Sequence, residues 1–72
     1  MTAVSTIITV RVNGEDRRLP AGSLLDLLAH LELDSRMVVV EHNREIVRRP
    51  DLDGRTVQNG DQVELVHFVG GG

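Results

Sequence analysis

The chain has no cysteine, no lysine, no tryptophan and no tyrosine. Without cysteine there is no disulfide framework, no thiolate nucleophile and no cysteine-based metal or persulfide site. All eight basic side chains are arginine. If the C-terminal carboxylate is activated as an acyl group, no side-chain amine of this chain can consume it; only the N-terminus could. The formal net charge of −3 and the lack of a basic tract argue against a nucleic-acid surface. No apolar run approaches the roughly 20 residues that cross a bilayer, and no signal-peptide pattern opens the chain. A cytoplasmic protein is expected, with no membrane or nucleic-acid partner.

Length sets the next limit. Seventy-two residues make one domain, and such a chain buries only about 60 to 65% of its unfolded surface. The apolar 40% is built mainly of Val, Leu and Ile. That fills one core and leaves no room for an enclosed active site with its own supporting shell.

Met1 to Ser5 carry no pattern and are expected to fray. From Ile8, apolar residues alternate with Thr9 and Arg11 through Val10 and Val12, the period of a half-buried strand. Asn13-Gly14 tolerates positive φ at both central turn positions and is a strong hairpin signal, so "EDRRLP" returns antiparallel and ends at Pro20. The period then changes. Leu24, Leu27, Leu28 and Leu31 share one helix face, with Ser23 as N-cap and Asp26 completing a capping box. This helix is expected to run from Leu24 to near Glu32 or Leu33.

"RMVVVEHN" is too short and too β-branched for a helix and is expected to be a strand with Val38 and Val40 inward and Val39 outward. Asn43-Arg44 turns into a short strand around Ile46-Val47. "RRPDLDGRTV" is a crossing segment, where Pro50 blocks strand continuation and Asp53-Gly54 turns. Asn59-Gly60 introduces a last strand, Gln62 to Val69. A lone helix must cover the sheet with its leucine face, and the long connection lets the last strand enter beside the first. The expected fold is therefore α+β: a β-grasp, a mixed four- to five-stranded sheet curled around one main helix, spanning residues 1–69.

On the last strand Val63, Leu65, His67 and Val69 share one side, and Glu64, Val66 and Phe68 the other. Two registries are open. If Leu65 faces the helix, Val66 and Phe68 face outward near Val39, and Phe68 can anchor a partner, since aromatic residues dominate interface energetics. In the opposite registry Phe68 is a core residue. Gly70, Gly71 and Gly72 then form a flexible thread about 10 Å long, at no more than roughly 3.6 Å per residue. Ordering glycine is entropically costly, which invites a functional reading. A thread without Cβ atoms enters a channel too narrow for other residues and carries the Gly72 carboxylate with it.

"GDQVELVHFVGGG", together with "VVVEHNREIVRR" and "PAG" before the leucine-rich helix, resembles the ThiS family of sulfur carriers in thiamin-thiazole biosynthesis, ubiquitin-like β-grasp proteins, from about Ile8 to Gly72. The resemblance implies a carrier and co-substrate, with catalysis done elsewhere. A ThiF-like adenylyltransferase would use ATP and magnesium to join the Gly72 carboxylate to AMP. Sulfur from a persulfide donor would displace AMP to leave a thiocarboxylate on Gly72. A ThiG-like thiazole synthase would accept Gly70 and Gly71 into its active site and take the sulfur. The free chain would be a monomer and hold no cofactor or metal.

Other readings share these features. The small subunit of molybdopterin synthase, or a carrier for cysteine synthesis, has the same fold and diglycine. A ubiquitin-like modifier would join Gly72 to target lysines, and a plain binding module would treat the glycines as a loose end. His30, His42 and His67 have no short metal-ligand spacing and are expected at the surface or core rim; His67 is near enough to the tail to touch a partner. Asp51 and Asp53 are too few for a metal loop and are explained by turn chemistry.

Overall fold

Asn13 and Gly14 both take positive φ, 49° and 82°, the primed turn whose twist matches two antiparallel strands. It joins β1 (Ile7–Val12) to β2 (Glu15–Pro20) in a register that pairs Val12 with Glu15 and Ile7 with Pro20. The computed structural model describes residues 6–68; Met1–Ser5, Val69 and the Gly70–Gly72 thread lie outside them. β1 alternates as its sequence requires, with Ile8, Val10 and Val12 buried.

After the two-residue β3 (Gly22–Ser23), helix α1 runs from Leu24 to His30. The Ser23 hydroxyl accepts from the Asp26 amide at 3.1 Å, and the Asp26 carboxylate accepts from the Ser23 amide at 3.0 Å, a reciprocal capping box. Gly22 is required here by space: a Cβ on it would stand 2.6 Å from Oδ2 of Asp26. Gly22→Ala is therefore expected to push the Asp26 carboxylate out of the box. The expected cost is about 1 kcal/mol, readable as a lowered urea midpoint with an unchanged m-value.

The helix stops at His30, short of the expected Glu32 or Leu33. Glu32 takes φ 59°. Its amide reaches Ala29 O at 3.0 Å while the Leu33 amide reaches Leu28 O at 2.9 Å, the two bonds of a Schellman stop. Leu33 then folds back onto the core beside Leu28. Glycine usually marks this stop; with a glutamate in its place the sequence carries no such mark.

The strand expected to begin at Arg36 begins later. Ser35–Met37 is a 3₁₀ turn capped by Asp34, and β4 is Val38–His42. Asn43 and Arg44, φ 49° and 70°, make a second turn with positive φ at both central positions into β5 (Glu45–Val47). The crossing segment is more structured than a loop: Arg49–Asp51 forms a 3₁₀ turn and β6 (Thr56–Val57) pairs antiparallel with β3. Within it Leu52 is buried against the core. β7 (Gln62–His67) then enters between β1, to which it is parallel, and β4, to which it is antiparallel.

The main sheet has the order β2-β1-β7-β4-β5. Leu24, Leu27 and Leu28 of α1 join Val10, Val40 and Val63 of the sheet in the single core cluster. A mixed sheet with its last strand at the centre and one helix across one face is the β-grasp arrangement.

Candidate functional site

Every candidate site residue lies on or beside β7 or in the residues that follow it. As the central strand, β7 is held on both sides, and side-chain amides extend that hold. β1 turns away at Asn13, yet the Asn13 amide takes its place: Oδ1 accepts from the Leu65 amide at 2.7 Å and Nδ2 donates to Leu65 O at 3.2 Å. At the strand's start, Asn43 Oδ1 accepts from the Gln62 amide at 2.9 Å. At its far end the Phe68 amide donates to Met37 O at 2.7 Å. The backbone is thus tied down to Phe68. Asn13 reads in the sequence only as a turn residue; this second job depends on where β7 enters the sheet.

The two faces of β7 differ. Val63 is buried and Leu65 half-buried on the helix side, so Val66 and Phe68 face outward, 60% and 48% exposed. Val39 is half-buried and stands directly opposite Val66. The structure therefore brings Val39, Val66 and Phe68 together on the open face. His67 is exposed on the other face and borders a groove of about 280 Å³ whose walls include Val12, Arg17, Leu31, Leu33 and Leu65. Gly70, Gly71 and Gly72 lie outside the described residues.

His42 differs from its expected place at the surface or core rim: it is buried, at 5% exposure. Its Nε2 lies 2.7 Å from Asp61 Oδ2, and Arg55 Nε donates to its Nδ1 at 3.2 Å. Because a guanidinium only donates, Nδ1 is the acceptor and Nε2 carries the proton. Asp61 also accepts from the Gln58 amide at 2.8 Å, and Arg55 pairs with Glu45. This network buckles the β4–β5 hairpin, the crossing segment and the start of β7 together. Its members are far apart in sequence, which is why spacing does not reveal it. Among the described residues no group of three or more His, Cys, Asp or Glu is arranged to hold a metal ion, and no helix is long and apolar enough to cross a membrane.

Three carboxyls sit below their ordinary range. The Arg36 guanidinium and amide hold Asp34 down to about 2. The Ser23 amide and hydroxyl lower Asp26. At Asp61 burial pushes upward but is outweighed by the Gln58 amide, His42 and Asn43, leaving the group lowered. Carboxyls lowered on folding contribute stability that is complete above their unfolded value near 3.8 and lost as pH falls through the folded values. The urea midpoint is thus expected to hold steady down to about pH 5 and to fall between about pH 4 and 2. Asp34→Asn should make that fall shallower.

A small β-grasp domain of the ubiquitin-like type, with its chain leaving from the central strand beside an exposed apolar face, is the class these features define. The chain belongs to the ThiS family, whose model matches residues 10–72. The sulfur carrier protein ThiS of Bacillus subtilis (strain 168) is 37% identical over 65 residues, covering 88% of this chain and 98% of that protein. The crystal structure of the thiamine biosynthesis protein ThiS from Geobacter metallireducens superposes with a TM-score of 0.77 at 33% identity, covering 90% of this chain and all of that one. A thiazole synthase of Paramagnetospirillum magneticum (strain ATCC 700264 / AMB-1) is 44% identical over 62 residues. There the match covers 85% of this chain, which spans only 19% of that protein's length.

Proposed function

We propose that the chain is a sulfur carrier of thiamin biosynthesis: a co-substrate rather than an enzyme, with the Gly72 carboxylate as its working group. The observation that carries this reading is the family match running through the central strand and on to residue 72. A carboxylate is a poor electrophile. An adenylating enzyme, supplying ATP and magnesium, joins it to AMP with release of pyrophosphate. The terminal sulfur of a persulfide displaces AMP, and thiol reduction of the resulting S–S bond leaves the thiocarboxylate. A thiazole synthase then draws in Gly70 and Gly71 and takes the sulfur.

The thiazole synthase assignment is supported by the relative in which a similar segment forms part of a thiazole synthase chain. Phe68, Val66, Val39 and, on the other face, His67 are the residues placed to meet a partner as the tail enters it. The free chain is a monomer in this reading. The edge strand β2 carries exposed Glu15, Asp16, Arg17 and Arg18 and ends in Pro20, and the other edge, β5, is three residues long; charge, proline and shortness all discourage edge pairing.

Complementation tests the pathway. A bacterial strain lacking its own thiazole sulfur carrier should regain growth without added thiamin when it expresses this chain. Rescue of a strain lacking the molybdopterin synthase small subunit instead, or conjugates to other proteins on a denaturing gel, would move the assignment to another carrier or to a modifier.

A further inference from the structure

On the open sheet face Glu41 of β4 stands directly opposite Glu64 of β7. The pairing pattern makes this a hydrogen-bonded pair: the Phe68 amide bonds to Met37 O and the Asn43 amide to Gln62 O, and such pairs recur at every second residue, which includes positions 41 and 64. Like charges placed directly opposite across strands destabilise a sheet. No described side chain relieves them. Among the described residues the ion pairs are Arg36–Asp34, His42–Asp61 and Arg55–Glu45, and neither glutamate accepts a side-chain hydrogen bond there. Arg11, on the adjacent β1 opposite Gln62, is not paired with either.

The surroundings are apolar. Ile46, 66% exposed, is opposite Glu41 on one side, and the next row of the face is Val39 opposite Val66, with Phe68 beyond. Two uncompensated carboxylates set among exposed aliphatic and aromatic side chains complement a basic side chain that is itself ringed by apolar groups. We infer that Glu41 and Glu64 form a two-pronged receptor for an arginine or lysine of the thiazole synthase, and that this pair, more than the apolar rim, sets which partner the face accepts. The inference rests on the proposed carrier function. It favours the thiazole synthase because a similar segment is continuous with that enzyme in one relative, so both surfaces are presented together there. Binding also relieves the repulsion stored in the free chain.

That trade gives the test its signature. The double variant Glu41→Gln/Glu64→Gln should melt about 2 °C or more above the wild type, because the like-charge contact is gone. It should bind the thiazole synthase about three- to tenfold more weakly by titration calorimetry, with a flatter dependence on salt. Asp51→Asn/Asp53→Asn, which removes the same charge from the crossing segment, should leave binding unchanged. Unchanged affinity in the glutamine variant, or equal weakening by both double variants, would overturn the inference while leaving the carrier function standing. Failure of the wild type to bind the thiazole synthase would overturn this inference and the partner assignment together. Weakening seen only toward an adenylating enzyme, or a free chain that dimerises on sedimentation and is dispersed by Val66→Asp, would give the face to that occupant instead.

Discussion

Deleting Gly72 is expected to lower thiocarboxylate formation by about a hundredfold or more while leaving the melting temperature unchanged. The two halves of that result have different origins. Removing one residue draws the carboxylate back by roughly 3.6 Å at full extension, and misplacement of a reacting group by even about 1 Å can cost on the order of a hundredfold in rate. Stability is untouched because every buried core residue lies between Ile8 and Val63, and the last described backbone tie is Phe68 to Met37. Gly71→Val should behave almost as the deletion does, since a β-branched side chain both narrows the backbone's options and widens the thread. The assay is single-turnover sulfur transfer with excess adenylating enzyme, beside a thermal melt. Normal transfer by either variant would separate the tail from the chemistry.

The largest effect on folding is expected at Leu28, which is 1% exposed beneath α1. Leu28→Ala should cost about 3 kcal/mol, the transfer term plus a cavity the neighbours only partly fill. A core of this size supplies only about 3–5 kcal/mol in total. The melting temperature should therefore fall by about 15 °C. Leu25, on the outer side of the same helix and 38% exposed, supplies the control: Leu25→Ala should cost less than about 1 kcal/mol. Similar losses at the two positions would mean that α1 does not lean on the sheet through the Leu24, Leu27 and Leu28 face.

That face is legible in the sequence because its signals are local. Leu24, Leu27 and Leu28 announce themselves by spacing, Ser23 and Asp26 by chemistry, and Asn13-Gly14 by the positive φ values it tolerates cheaply. The same holds for half of the site. Once Leu65 is assigned inward, alternation sends Val66 and Phe68 out. What escapes a reading of the sequence is non-local or unmarked. β3 and β6 are two residues each and exist only because Gly22 meets Val57. Glu32 ends the helix without the glycine that would advertise it. His42 is a buried buckle through Asp61 and Arg55, 19 and 13 positions away. The opposition of Glu41 and Glu64 needs a register, and register is set by the fold as a whole. Asn13 bonding to Leu65 across 52 positions is the same lesson at its longest range.

The central claim is that the carboxylate of Gly72 receives sulfur. Intact-mass spectrometry of the chain after incubation with ATP, magnesium, an adenylating enzyme and a persulfide source tests it most directly, with fragmentation to locate the change. One oxygen exchanged for one sulfur on the C-terminal glycine, dependent on ATP, is the expected result; an unmodified mass under conditions that fully load the Bacillus relative, or sulfur found elsewhere in the chain, would contradict it.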